Sequence, residues 1–179
     1  MKTLGKSLIA ILLLSLVLTN YSCKKIDEIL TFTITDQTEI TIESSLPFSL
    51  PLEIPTPDIN TSSDEELSNN NTSTDLVKDV KLTSLSMKIK SPNGKTFSFL
   101  KSIHIFISTN GSDEIELAFK DNINANSSTI NLTSTNEKLD KYIIADKYKL
   151  RTKVTTKETL TQDVTIEINM EYKITADPL

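Results

Sequence analysis

The sequence predicts an all-β protein: an antiparallel β-sandwich, immunoglobulin-like in plan, with one short helix. Apolar residues recur at every second position in several segments, most clearly at Val164, Ile166, Ile168, Met170, Tyr172 and Ile174, with polar residues between them. That period marks a strand with one buried and one wet face. Thr, Ser, Asn and Ile are abundant while the chain holds only 3 Gly and no Trp, a composition that favours strands and polar loops over helices. Turn signals, Ser91-Pro92-Asn93-Gly94 and Asn110-Gly111, separate the alternating runs. About eight or nine strands joined by short turns fit two packed sheets. A closed barrel is the second choice, and the strands lack the aromatic girdles of a membrane-spanning one.

Ahead of the strands stands a different kind of segment. Lys2 and Lys6 precede an apolar run from Leu8 to Leu18, and Thr19-Asn20-Tyr21-Ser22 then leads to Cys23, the only cysteine. A helix over that run reaches about 16 Å, too short for a hydrocarbon core of about 30 Å. Residues 1–22 therefore read as a signal peptide rather than a permanent span. With a small residue, Ser22, before the lone cysteine, the junction resembles the signal of bacterial lipoproteins. That resemblance implies cleavage between Ser22 and Cys23 and acylation of Cys23, palmitate included. The place three before the cysteine holds Asn20 where the usual motif has an aliphatic residue, a looseness that resembles Bacteroidota lipoproteins. Lys24 after the cysteine, where retention at the inner membrane commonly uses Asp, implies the outer membrane. A lysine followed by Asp27 and Glu28 also looks like a surface-export tag, with Ile26 interrupting it. The expected location is the bacterial outer membrane, lipid-anchored, with surface exposure in view.

Residues 23–30 read as a lipidated terminus and tether, and 31–179 as a single domain. The chain carries 19 Lys and Arg against 24 Asp and Glu, a net charge of −5, and the leader removes two of the lysines. An acidic domain without a basic stripe is a poor partner for nucleic acid, whose binding rests on Lys and Arg neutralising phosphates. With Cys23 used as the anchor, no thiol remains for disulfides or a thiolate metal site.

In order, Phe32, Ile34, Ile40 and Ile42 alternate in a first strand. Phe48, Leu50, Leu52 and Ile54 continue the pattern, but Pro47, Pro51, Pro55 and Pro57 confine that run to a sheet edge or an extended linker. Residues at about 57–76 are polar enough to predict a mobile surface loop. Asp64, Glu65 and Glu66 lie in it without the ordered spacing calcium requires, so they read as solvated acids. Val80, Leu82, Leu85, Met87 and Ile89 fit one strand whose phase slips at Thr83-Ser84, as a bulge produces. Phe97, Phe99 and Ile103 to Ile107 are expected to return as strand, and Asn110-Gly111 to close a hairpin to Ile115, Leu117 and Phe119. The stretch from Val80 to Phe119 resembles small Bacteroidota lipoproteins with a Ser-Pro-x-Gly turn before a Phe-x-Phe-Leu strand, which implies an all-β domain and no catalytic residue. A short strand follows around Ile130 and Leu132. Leu139, Tyr142 and Ile143 at helical spacing place the single helix within 137–147. Tyr148, Leu150, Thr152 and Val154 precede the last and longest strand, expected at the centre of a sheet.

Chemistry-bearing motifs are sparse. His104 is the only histidine; it alternates with Ile103 and Ile105, on the opposite face beside Phe106, and reads as a half-exposed or packed strand residue. No Gly-x-Ser-x-Gly elbow, His-Glu-x-x-His run, Walker loop or dinucleotide fingerprint occurs. Carboxylates such as Asp113, Glu114, Glu116, Glu167 and Glu171 fall on wet strand faces. Asn-x-Ser/Thr at Asn60, Asn70, Asn71, Asn110, Asn126 and Asn131 follows from the abundance of those residues. The sequence thus predicts no catalysis, no cofactor and no metal. Its expected role is a structural or interaction module with an envelope protein as partner, and the alternative is a glycan- or ligand-binding accessory of an uptake system.

Overall fold

The computed structural model describes residues 30–179 except 46 and 48. The signal peptide, Ser22, Cys23, most of the tether and Phe48 lie outside the described residues. The strands are β1 (Thr31–Ile42), β2 (Pro51–Pro55), β3 (Ile59–Asn60), β4 (Val77–Ser91), β5 (Leu100–Ser108), β6 (Ile115–Lys120), β7 (Thr129–Asn131), β8 (Thr133–Ser134), β9 (Lys147–Thr156) and β10 (Val164–Ala176). Two short helices, α1 (Ser63–Asn69) and α2 (Asp140–Ile143), interrupt them.

One sheet has the order β1-β10-β4-β7; the other runs β2-β9-β5-β6-β8, with β3 also pairing β9. All pairings are antiparallel. The antiparallel sandwich expected from the alternation is what forms, but its strand order is that of a jelly roll and not the immunoglobulin-like plan expected with it. Apart from the β5–β6 hairpin, each principal strand is followed by one in the opposite sheet.

β10 sits between β1 and β4, as its length and unbroken alternation predict. Val164, Ile166, Ile168, Met170, Tyr172 and Ile174 are each no more than 1% exposed. They share one continuous core with Ile103, Ile105, Tyr148 and Val154 of the second sheet. The predicted bulge is present: Glu171 pairs Ser84 and Tyr172 pairs Leu82, leaving Thr83 as the extra residue, its hydroxyl donating to the Glu171 carbonyl at 3.0 Å. β2, bracketed by Pro51 and Pro55, lies at a sheet edge because proline lacks a ladder donor. Gly111 takes φ of +79° in the β5–β6 connection, where Asp113 accepts from the Thr109 and Asn110 amides.

Three local expectations are corrected. The polar segment at 57–76 holds β3, α1 and a 3-10 turn at Thr74–Leu76, and is not a featureless loop. Two apolar anchors are enough: Ile59 and Leu67 are buried in the core, and Ser63 donates to the Ile143 carbonyl from a buried position. Thr72 ties the segment's end to the Asp177 carbonyl at 2.8 Å. The second correction concerns Phe97 and Phe99, which occupy a 3-10 turn where the chain crosses between sheets. Both rings are wholly buried and stack at 6.4 Å, while the Ser127 carbonyl accepts from the Phe97 amide and that of Phe99 from the Lys157 amide. Their two-residue spacing mimics a strand, but a crossover needs a corner. Third, the helix expected within 137–147 is the four-residue α2, and α1 makes a second. Asp140 of α2 accepts from the Val80 amide at 2.9 Å, and Tyr142 and Ile143 are buried. With Lys147 already in β9, no room remains for further turns.

Since β10 has both edges and its inner face committed, Ile168→Ala should cost about 2–5 kcal/mol of stability. Thr35→Ala, on the wet face of β1, should stay within about 0.5 kcal/mol of the parent. Urea unfolding checks both: the Ile168 variant should shift the midpoint at unchanged slope.

Candidate functional site

The outward faces of β2, β9, β5 and β6 bring the chemically interesting side chains into rows fixed by strand register. Pro51, Thr155 and Ser102 form one row; Glu53, Lys153, His104 and Phe119 form the next. Arg151, Phe106 and Glu116 form the third. Inward residues of β5, namely Ile103, Ile105 and Ile107, are wholly buried, which forces Ser102, His104 and Phe106 outward by the two-residue period.

Within this grid a shallow depression of about 220 Å³ is lined by Pro51, Ser102, His104, Phe106, Lys153 and Thr155. His104 is half-buried, as its position in an alternating strand predicts. Its Nδ1 lies 2.6 Å from Glu116 Oε1 and its Nε2 lies 3.3 Å from Asp121 Oδ1. The ring stacks on Phe119 with centroids 5.9 Å apart. Both imidazole nitrogens therefore face carboxylates, and neither is aimed at the hydroxyl of Ser102. A nucleophile needs its base within hydrogen-bond reach, and this geometry does not supply that pair.

Arg151 lies beside the depression, over the ring of Phe106. Its guanidinium takes both oxygens of Glu114, at 2.9 and 2.6 Å, reaches Glu53 at 2.8 Å and lies 4.2 Å from the centroid of the Phe106 ring. The hydrogen bond from Arg151 holds the Glu114 carboxyl below the usual range. Among the described residues Lys153 makes no ion pair, although Glu53 and His104 flank it in register. The depression thus offers an ammonium, two hydroxyls and the side of an aromatic ring. That combination suits a small polar ligand with an apolar flank.

A second, open depression of about 460 Å³ lies at Val77, Lys138, Asp140, Lys141 and Ile144. Its lysines are already compensated, Lys138 by Asp140 at 2.7 Å and Lys141 by Asp113 at 3.5 Å. Among the described residues no group of three or more His, Cys, Asp or Glu side chains is placed to hold a metal ion. Asp64, Glu65 and Glu66 fall in the first turn of α1.

The sequence reading missed a polar cluster inside the sandwich. Asp36 points inward from β1 and is 9% exposed. The Tyr148 hydroxyl donates to Asp36 Oδ2 at 2.8 Å and stands 3.3 Å from the Tyr172 hydroxyl, which contacts Met170 Sδ at 3.2 Å. β1 and β10 of one sheet are thereby tied to β9 of the other. Burial pushes the Asp36 carboxyl up, against the lowering effect of the Tyr148 hydrogen bond. Burial also pushes both tyrosine hydroxyls up, so they stay protonated donors. The available signal was phase: Asp36 occupies an inward position between Ile34 and Ile40.

No protein-family model matches the chain, and no curated protein matches it. Among solved structures, one of Desmodium yellow mottle tymovirus aligns at 14% identity and a TM-score of 0.33, covering 83% of each chain. Two structures of turnip yellow mosaic virus align at 13% identity with TM-scores of 0.26 and 0.28, covering 83% of this chain and 96% of theirs. Likeness at that level carries no argument about this chain's role.

A carboxyl whose folded pKa is raised disfavours the fold once it ionises, and is neutral in that respect below its unfolded value. Asp36→Asn should therefore raise the thermal midpoint at pH 7, and the gain should shrink toward zero as pH falls below about 4. Thermal unfolding from pH 3 to 8 measures this; a difference independent of pH would assign the effect to packing.

Proposed function

We propose that the chain is a lipid-anchored cell-envelope protein of a bacterial outer membrane, acting as a non-catalytic structural or protein-interaction module. The observation that carries this reading is the lone Cys23 directly after an apolar leader. It stands a few residues before a folded domain whose first strand begins at Thr31. A tether over residues 24–30 spans at most about 25 Å, which would hold the sandwich close to the bilayer. One acyl chain anchors only marginally, and two or more hold stably at about 0.8 kcal/mol per buried CH2. Among the described residues no helix is long and apolar enough to cross a membrane, so attachment on this reading rests on the lipid. The acidic net charge of −5 argues against a nucleic-acid partner.

Labelled palmitate should enter the native chain in a bacterial host and should not enter Cys23→Ala, which should also leave the outer-membrane fraction. Equal labelling of the two would overturn the anchor. Loss of the protein on protease treatment of intact cells would place it on the surface.

The depression at Ser102, His104, Phe106, Lys153 and Thr155 favours a second reading, a glycan- or ligand-binding accessory lipoprotein. An aromatic flank beside hydroxyl and ammonium donors is the combination that sugar recognition uses. On that reading Lys153→Ala and Phe106→Ala should each weaken binding of a glycan found in a panel by about tenfold or more, equivalent to about 1.4 kcal/mol. Titration calorimetry reads this directly, and binding unchanged in both variants removes the depression from consideration.

A further inference from the structure

Two open sheets leave four edges, and three of them are blunted. β7 has 3 residues, β8 has 2, and β2 has 5 with a proline at each end. β1 is different: it runs for 12 residues with no Pro, Gly, Lys or Arg, and pairs β10 without a register shift. From Phe32 to Ile42, among the described residues, β1 has no strand partner other than β10. Its wet-face residues Thr33, Thr35, Gln37, Glu39 and Thr41 are all exposed. A long, regular edge whose one inward charge is Asp36 is a template for a strand that can accommodate that carboxylate.

The sequence of that edge selects the strand it fits. Read outward from Gln37, β1 is close to a palindrome, and an antiparallel copy of itself makes matched pairs throughout. Phe32 would meet Ile42 of the second copy, Thr33 would meet Thr41, Ile34 would meet Ile40, and Gln37 would meet its own mate on the twofold axis. Asp36 would stand opposite Thr38, and Thr35 opposite Glu39, so every carboxylate faces a hydroxyl. The neighbouring registers that keep the inward faces together fail. Centring on Asp36 sets two inward carboxylates against each other, and centring on Glu39 does the same on the wet face. Centring on Thr35 or Thr38 puts Asp36 opposite Ile34 or Ile40. Directly opposed like charges are destabilising in cross-strand pairs, whereas Thr, apolar and opposite-charge pairs are favourable. A carboxylate set against an isoleucine is desolvated further with no cross-strand hydroxyl to compensate, keeping only its bond from Tyr148. Asp36 guards the edge against most strands and admits this one.

We propose that the chain forms a homodimer by antiparallel pairing of β1 with β1 of a second copy, centred on Gln37, which joins the two four-stranded sheets into one of eight strands. Such an isologous contact closes on itself and leaves no further long edge. The pairing is independent of the lipid anchor.

The test uses the full chain in a bacterial host, with Gln37→Cys added to the native Cys23 and the parent as baseline. Oxidation should give a disulfide dimer from Gln37→Cys well above the parent, while Thr33→Cys, whose own mate would lie about 27 Å away at about 3.4 Å per residue, should not. Thiol alkylation of the parent reads whether Cys23 is free, so failure of the lipoprotein reading is seen separately. Gln37→Lys and Gln37→Glu should each abolish dimers as single species, and mixing the two should restore a heterodimer, read by light scattering in detergent. Equal cross-linking of Thr33→Cys and Gln37→Cys, or dimers unaffected by the like charges, would overturn the register. A Gln37→Cys variant that stays monomeric and cross-links only to a different polypeptide would assign the edge to that protein and end the self-pairing proposal.

Discussion

The structure depends on one constraint, the need to cover the inner face of β10 and to pair both its edges. Six inward side chains from Val164 to Ile174 are essentially removed from water, at roughly 1.5–3 kcal/mol each before ordering costs. No disulfide shares that burden, because the sole cysteine is Cys23. Covering the inner face takes a second sheet, and pairing both edges takes β1 and β4. The crossovers that carry the chain between sheets follow from those two demands, and so does the corner at Phe97 and Phe99, where two rings fill the gap a crossover leaves.

Polar groups inside such a core must be satisfied. Asp36, Tyr148 and Tyr172 satisfy one another across the sandwich, and among the described residues no buried side-chain polar atom lacks a partner. A raised carboxyl costs stability, and a buried polar group is tolerated where it specifies an arrangement. Here it fixes which residues of β1 meet β10 and β9, and it restricts what can add to the free edge. Specificity and a stability cost come from the same side chain.

The outer faces differ in character. On the second sheet, Arg151, Glu114 and Glu53 form an ion cluster over Phe106, and His104 is held between two carboxylates. Exposed pairs of this kind contribute little to stability individually, with a median of about 0–1 kcal/mol. Their role is better described as orientation: they fix the walls of the depression and leave Lys153 as its uncompensated cation among the described residues. The first sheet presents Thr-rich wet positions ending in the open β1 edge. One molecule therefore carries two separate features of different kinds, a depression lined by side chains and an edge of unpaired backbone.

Alternation made the strands legible, because a period of two is a local property written into consecutive residues. The central place of β10, the edge place of β2, the bulge at Thr83 and the outward position of His104 were all readable for that reason. Where residues combine over long separations, local pattern was silent or misleading. α1 was masked by its polarity, since a single contact set from Leu67 and Ser63 holds it. Phe97 and Phe99 imitated a strand, and Asp36 looked like an interruption until Tyr148, 112 residues away, supplied its partner. The sequence by itself determined the all-β class, the strand phases and the expectation of an anchor at Cys23. Only the tertiary structure decided the jelly-roll order, the rows that assemble the depression and the edge left unpaired, because each depends on which distant strands become neighbours.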